Sequence, residues 1–537
     1  MGRYPKITDP NIINKVNNRF NKYKVKKVNK TFDQLCFSNR TSRFRLQQPQ
    51  KFLSRFIHPD TPYRDMLIYH RIGSGKTCTA ISIAEQWKHL YKIMVIVPAS
   101  LINNFIKELL SPCGLTYNHF YTKNFNKHEY ATDEELEILQ KSDHKTKVYK
   151  KVFQKCKKRI EKYYQIISYN KFFTLASENR LRMKNKVVII DEIQNMVSNT
   201  GIMYKLLKRA LKNVSDNCPI ILLSATPIFD KPDEIALTLN LLRIPHKLPV
   251  EKDFYVNFVL NENIINQDLF KKMITGYISY FRGADKKMFP KMTEYMIKCP
   301  MSEFQYKSYE TIISEEGRFK KSELFEIPDN FFVNTRLISN IAFPNKETGE
   351  SGFESWVDKL KRAKRDGYLM KTIKNHSRKF YDVIRNIFRN KGTSFVFSNF
   401  VQYNGLQSFI AVLEAVGYKS YYKHGPGPKR YAEWSGDIKM VKRIRAKNVF
   451  NKQQNKNGKL IEIFLGSPAI KEGVTLLGVR QIHVLEPYWN IQFIKQVIGR
   501  GNRYCSHKFL PKHLRKLDVF FYVSTYKKEI TIDQHIY

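Results

Sequence analysis

One short stretch limits the fold of this chain more than any other. The apolar run Met66-Leu67-Ile68-Tyr69-His70 passes through Arg71-Ile72-Gly73-Ser74-Gly75 into Lys76-Thr77, which opens the helical run Cys78–Leu90. A buried strand that turns over a glycine-bracketed loop straight into a helix is the first unit of an α/β layer. Such a turn exposes backbone N–H groups at a helix N-terminus, where they cradle the β- and γ-phosphates of a nucleotide. Lys76 would neutralise that charge and the Thr77 hydroxyl would ligate Mg²⁺. The pattern predicts ATP and Mg²⁺ as cofactors, with His70, Arg71, Ile72, Gly73, Ser74, Gly75, Lys76 and Thr77 forming the loop. His70 stands where the full pattern has glycine. The alternative is an ordinary strand-to-helix turn.

With 537 residues, 42% of them hydrophobic, the chain exceeds what one core supports, and two or three domains are expected. No apolar run approaches bilayer length, and Met1-Gly2-Arg3-Tyr4 does not resemble a cleavable signal, so a soluble protein with no membrane partner is expected. The seven cysteines are scattered, with no Cys-x-x-Cys pair. That pattern argues against a disulfide framework and a structural metal, and for a reducing compartment. A formal charge of +45 points to a polyanionic partner, nucleic acid being the usual one, although abundant Lys, Asn, Ile and Tyr also fit coding from an AT-rich genome.

Residues 1–45 read as a basic arm, with the run Lys22-Tyr23-Lys24-Val25-Lys26-Lys27; a solvated tail is the alternative. From 46 to 245 short β-rich runs alternate with amphipathic helical stretches: Met66–Tyr69, Ile93–Val97, Gln165–Ser168, Val187–Ile190 and Ile220–Leu223 are the strand candidates. The same rhythm returns over 376–537, at Ser394–Phe397, Ile461–Leu465, Gln481–Leu485 and Val519–Val523. This is the βαβ pattern of parallel sheets covered by helices. Residues 246–375 lack it and read as a mainly helical insertion or connector. In that stretch Tyr280-Phe281-Arg282 and Phe331-Phe332 read as core positions or as aromatics that stack on bases.

Two further segments carry chemistry. Val187–Ile190 ends in Asp191-Glu192-Ile193-Gln194, and an ATPase needs one carboxylate to hold Mg²⁺ and another to orient the attacking water. A helix cap is the alternative reading of the acid pair. Ile220–Leu223 ends in Ser224-Ala225-Thr226-Pro227, either a turn or the element that couples a nucleotide site to movement.

Taken in order, these segments resemble the motifs of superfamily-two helicases and translocases. Gly73–Thr77, Val95–Pro98 with Ser100, Ile167-Ser168-Tyr169, Asp191–Gln194 and Ser224–Thr226 match one half of the set. Ser394–Phe400, Gly473–Leu476 and Gln496–Arg503 match the other. The resemblance implies two RecA-like domains in tandem. It also implies catalytic roles for Lys76, Asp191, Glu192, Gln194 and Gln496, and for Arg500 and Arg503, which are read as three apart on one helical face. Metal ligation falls to Thr77 and Asp191, and adenine reading to Gln50, although Gln47 and Gln48 leave that register open. Nucleic-acid contact or coupling falls to Ser100, Ser224, Ala225, Thr226, Gly473 and Thr475.

The block around Ser224–Asp230 resembles Swi/Snf-type translocases. The block from Glu472-Gly473 through Glu486-Pro487-Tyr488-Trp489-Asn490 to Tyr522–Thr525 is similar to the poxvirus nucleoside triphosphate phosphohydrolase and early transcription factor small subunit, from large cytoplasmic DNA viruses. That likeness implies a DNA-dependent ATPase in viral early transcription, with viral RNA polymerase as a partner and the virion and host cytoplasm as its locations. Gln194 departs from the histidine of many relatives, and longer relatives continue beyond the position of Tyr537. An RNA helicase, or a non-enzymatic basic virion-core protein, are the competing expectations.

Overall fold

The computed structural model describes residues 4–25, 31–37, 46–71, 73–114, 129–141, 146–197, 201–228, 231–260, 263–283, 286–316, 332–389, 392–471, 474–488 and 491–537. Ile72, Gly473, Lys26, Lys27, Phe229, Asp230, Phe331, Glu472, Trp489 and Asn490 lie outside the described residues. Two compact units emerge: Met1–Lys30 with Asn39–Ala284, and Thr31–Ser38 with Asp285–Tyr537.

The first unit contains β1 (Met66–His70), β2 (Lys92–Val97), β3 (Tyr164–Ser168), β4 (Lys186–Asp191) and β5 (Ile220–Ser224). A short antiparallel pair, β6 (Val259–Leu260) and β7 (Asn263–Ile264), stands apart, and β8 (Ile278–Phe281) completes the main sheet. The sheet runs β3-β2-β4-β5-β1-β8, and every pairing in it is parallel. Its central strands are continuous Val, Ile and Leu runs because both faces are covered. Ile68, Val95 and Ile189 bury one face against Ala80, Ile81 and Trp87; Ile96, Ile190 and Leu222 bury the other against Phe172, Leu207 and Leu239. The carboxyl ends of β4, β5 and β1 are therefore neighbours, the position where open parallel sheets bind ligands.

The second unit holds β9 (Lys291–Pro300), β10 (Thr393–Phe397), β11 (Lys419–Ser420), β12 (Arg430–Trp434), β13 (Ile463–Gly466), β14 (Val479–Val484) and β15 (Lys516–Thr525). They form a second parallel sheet in the order β11-β12-β13-β10-β14-β15-β9, again covered on both faces. The molecule is thus an α/β protein with two parallel, helix-covered sheets.

Three expectations change. Residues 246–375 do not form a body of their own. β8 pairs with β1 in the first sheet, while β9 pairs with β15 over its whole length in the second. The strand β9, Lys-Met-Thr-Glu-Tyr-Met-Ile-Lys-Cys-Pro, is an exposed edge, so it carries no apolar run by which a buried strand is recognised. The described parts of the N-terminal segment, residues 4–25 and 31–37, pack onto the two units rather than forming an arm. Phe20 and Tyr23 are buried with Phe56 and Tyr63, the Tyr63 hydroxyl donates to Pro5 O at 2.8 Å, and Arg19 lies 3.9 Å over the Tyr4 ring. Phe32–Phe37 instead belongs to the second unit, where Asp33 pairs with Arg515 at 2.8 Å and Arg515 stacks on Phe32 at 4.2 Å. Finally, Cys36–Cys505 and Cys78–Cys113 are bonded pairs, leaving Cys156, Cys218 and Cys299 as buried thiols. Spacing hid both pairs, because partners 469 and 35 residues apart meet only through the fold. No helix among the described residues is long and apolar enough to cross a membrane.

Candidate nucleotide site

The phosphate loop is built by two left-handed glycines. Gly73 and Gly75 have φ of +78° and +81°, a region costly to any residue with a Cβ, and Gly75 caps the helix Lys76–Ala84. A Cβ on Gly75 would also stand 2.7 Å from Gln50 Nε2. The glycines thus turn the chain and let a side chain approach the loop closely. Ser74 is buried, and its Oγ has no hydrogen-bond partner, an orphan acceptor and donor inside the cradle. Lys76 Nζ donates to His70 O at 3.3 Å, and Arg71 N donates to Phe281 O at 3.1 Å.

His70, expected in the nucleotide loop, turns its side chain from the loop into the sheet. It is the last residue of β1, and its ring is buried edge-on to Phe281 with Nε2 3.0 Å from Ser279 Oγ. Burial, assisted by Lys76, pushes its pKa down to about 4 and keeps it neutral. Its φ is negative, so the position usually held by glycine needs none here. Arg71, by contrast, is exposed at the loop.

Gln50 is buried at the start of the helix Gln48–Phe56. Its Oε1 accepts from Gln47 N at 2.7 Å and its Nε2 donates to Gly75 O at 3.3 Å. Of the three neighbouring glutamines, Gln50 is therefore the one whose side chain meets the phosphate loop.

Asp191 closes β4, and Glu192 adopts the left-handed conformation, φ +54°, which throws the chain into the short turn Ile193–Met196. Burial and the neighbouring Glu192 push the Asp191 carboxyl up to about 7, while Lys76 and the Glu192 N–H pull it back. From Glu192 a continuous chain of hydrogen bonds runs to the next strand. Gln194 Nε2 donates to Glu192 Oε2 at 2.7 Å, Ser224 Oγ donates to Gln194 Oε1 at 2.7 Å, and Thr226 N donates to Ser224 Oγ at 2.9 Å. Ser224 and Gln194 are buried, so these bonds form in a low-dielectric setting where each is strengthened. Ala225 and Thr226 are buried beside them. Ser100 lies on the turn Ala99–Leu101 after β2, with its hydroxyl oxygen buried and unpartnered.

In the second unit, Gln496 lies on the helix Ile491–Ile498, but that helix stops before Gly499. Arg500 and Arg503 lie on the turns that follow and not on a continuous helix, although Gly499 N and Asn502 N still donate four residues back. Arg500 is buried, and its carbonyl accepts from Leu476 N at 2.9 Å. Arg503 reaches Val474 O at 3.5 Å. The arginine turns are thereby tied to the Val474–Leu476 segment, where Asn451 Nδ2 also donates to Thr475 O at 2.7 Å.

Sequence reasoning placed Tyr169 inside a motif but gave it no task. Its hydroxyl donates to the carbonyls of both Asp191 and Glu192, the latter at 3.0 Å. A tyrosine directly after a strand end was the available signal, but its partners lie at the end of β4, with β2 between the two strands in the sheet.

A glycine-turned phosphate loop, a buried acid pair and a polar chain onto the neighbouring strand are the parts expected of a nucleotide-driven machine, and comparison with known proteins agrees. The description "SNF2-related domain" matches residues 48–352, more than half of the chain. The chain belongs to the SNF2-related family. A relative from Acanthamoeba polyphaga mimivirus, named as an ATP-dependent RNA helicase, is 40% identical over 99% of this chain and 91% of its own length. A relative from African swine fever virus, named as a termination factor NPH-I homolog, is 25% identical over 86% of this chain and 69% of its own. Other helicase-named relatives from large DNA viruses are matched over 55% and 50% of their length. A Sulfolobus solfataricus SWI2/SNF2 ATPase core solved with double-stranded DNA is 14% identical, covering 86% of this chain and 84% of its own, at a TM-score of 0.33. The fold description rests on the two sheets themselves. This SNF2-related chain is an ATP-dependent enzyme of the helicase and translocase class found in large DNA viruses.

Proposed function

We propose that the chain is a nucleic-acid-stimulated ATPase that moves along DNA, and that its work lies in viral early transcription. The observation that carries the reading is the unbroken hydrogen-bonded line from Glu192 through Gln194 to Ser224 and Thr226. It links the acid that would orient the attacking water to a strand end suited to report on, or respond to, a bound polymer.

The donor set fits ATP with Mg²⁺. The Thr77 hydroxyl and Asp191 carboxylate are hard oxygen ligands of the kind Mg²⁺ selects, and the orphan Ser74 hydroxyl and helix N-terminus suit phosphate oxygens. The cation, when bound, neutralises charge on the β- and γ-phosphates. Lys76 exchanges its hold on the His70 carbonyl for the phosphates. Glu192 orients water, with Gln194 holding its carboxylate. Gln50, already against Gly75, reads the base, and Gln496, Arg500 and Arg503 supply contacts and positive charge to the phosphoryl group. Ser100, Thr226, Gly473 and Thr475 contact the polymer backbone, giving salt-sensitive, weakly sequence-selective binding.

The net charge of +45 supports a nucleic-acid partner, and the name of the African swine fever virus relative, a termination factor, supports a transcription role. A viral RNA polymerase as partner, and the virion and host cytoplasm as locations, belong to the same proposal. The mimivirus relative's name favours RNA as the competing polymer. Steady-state ATP hydrolysis with single-stranded DNA, duplex DNA and RNA, beside a Lys76→Ala control, decides between them. DNA stimulation lost in the control is expected. Stimulation by RNA alone transfers the assignment to an RNA helicase, and Lys76-independent turnover overturns the ATPase reading.

A further inference from the structure

From the contacts of one side chain we infer that Tyr169 is a positioning residue for the acid pair, holding Asp191 and Glu192 in their working geometry from the end of a different strand. The inference rests on the ATPase reading above. Tyr169 follows β3, where Ser168 caps the helix Tyr169–Ser177 by accepting from Lys171 N at 3.2 Å. The cap fixes the backbone from which the tyrosine departs. Its ring then packs among the apolar residues on one face of the sheet, with Ile190 and Ile193 in the same cluster. At the far end the hydroxyl donates to two successive carbonyls, those of Asp191 and Glu192.

Those carbonyls belong to a place where the backbone is strained. Glu192 is held at φ +54°, a conformation that non-glycine residues adopt only when the surroundings enforce it. Within the turn, Glu192 O also accepts from Asn195 N at 3.0 Å. The Tyr169 hydroxyl ties this turn to the end of β3, as the Ser224 hydroxyl ties it to the end of β5 through Gln194. In the sheet, β2 separates β3 from β4, so Tyr169 spans the carboxyl end of the strand that leads to Ser100. A polymer bound at the β2 and β3 ends would press on the same helix start that holds the acids. Tyr169 thus serves position and, through position, the response to nucleic acid. It touches no reacting atom.

The test is Tyr169→Phe, which keeps the ring and removes the hydroxyl. Purified chain and variant are compared for ATP hydrolysis with and without duplex DNA, for KM and kcat separately, and for thermal melting, with Lys76→Ala beside them. A misplaced acid pair is expected to cut DNA-stimulated kcat by about tenfold or more. KM for ATP should stay within about twofold, since uniform nucleotide binding is untouched. Melting should be nearly unchanged. Equal kcat in the two chains overturns the role. Parallel loss of kcat, ATP affinity and melting temperature also overturns it, by showing that the hydroxyl serves folding alone. Absence of Lys76-dependent turnover in the unsubstituted chain overturns the ATPase reading itself, and this role with it.

Discussion

The candidate residues of the first unit and those of the second are held in different ways. In the first, functional side chains hold one another: Gln194 binds Glu192 and Ser224, Gln50 binds the loop at Gly75, and Tyr169 clasps the acid turn. In the second, Arg500 and Arg503 sit on turns anchored through backbone atoms of Val474, Leu476 and their own loop. A site of interlocked side chains is preorganised, and damage to one member spreads to the others. Substitution at Arg500 or Arg503 should remove a charge while the backbone bonds that shape the turn remain.

The sharpest contrast is expected between Lys76→Ala and the arginine variants. Lys76→Ala should weaken nucleotide binding and reduce turnover by about a thousandfold or more. Arg500→Ala and Arg503→Ala should lower kcat by about a thousandfold while leaving ATP binding close to normal. Equilibrium binding of a fluorescent nucleotide beside steady-state hydrolysis checks both, and loss of binding in the arginine variants would erase the distinction.

Next in size is the effect of spreading damage. Gln194→Ala frees both Glu192 and Ser224, so kcat should fall by about tenfold to a hundredfold. Combining it with Ser224→Ala should add far less than the product of the two single effects, which a double-mutant cycle measures.

Asp191 offers a pH-dependent test. Its carboxyl is raised from 3.8 to about 7, so the folded chain favours the neutral form. The resulting instability is absent below the unfolded pKa, grows as pH rises between the two values, and is complete above about 7. Asp191→Asn should therefore abolish turnover yet stabilise the chain at pH 8, by on the order of a few kcal/mol, and do little at pH 4. Thermal melting of both chains across that range reads the sign directly.

The smallest functional effect is expected at His70. Its side chain serves packing against Ser279 and Phe281, so His70→Ala should lower stability by about 1–3 kcal/mol and leave the KM for ATP within about twofold. A large rise in KM would return His70 to the nucleotide. Thiol titration of the denatured, unreduced chain should find three free thiols, against seven after reduction.

Much of this was legible in the linear chain because its signals are local. Met66–His70 followed by glycines and Lys76-Thr77, and Val187–Ile190 followed by Asp191-Glu192, are runs in which strand, turn and helix propensities agree with the layers they build. β9 escaped notice because an exposed edge strand has no buried run to betray it. For the arginine pair, a spacing of three fits a helical face, but spacing alone does not show that the helix ends at Ile498. At His70 a motif position says nothing about which way the side chain turns, and the ring lies in the sheet. Ser279, its partner, lies 209 residues away.

By itself the sequence determined the α/β class, the phosphate loop and the acid pair, since each is written in a few consecutive residues governed by backbone sterics and burial. Only the tertiary structure decided that Gln50 is the glutamine at the loop, that Gln194 joins Glu192 to Ser224, that Tyr169 clasps the acid turn, and that four cysteines pair. Each of these depends on the tertiary fold, which brings distant segments together. Hydrogen bonds and sulfur bridges form between whatever groups the fold makes neighbours, and no local pattern encodes that neighbourhood.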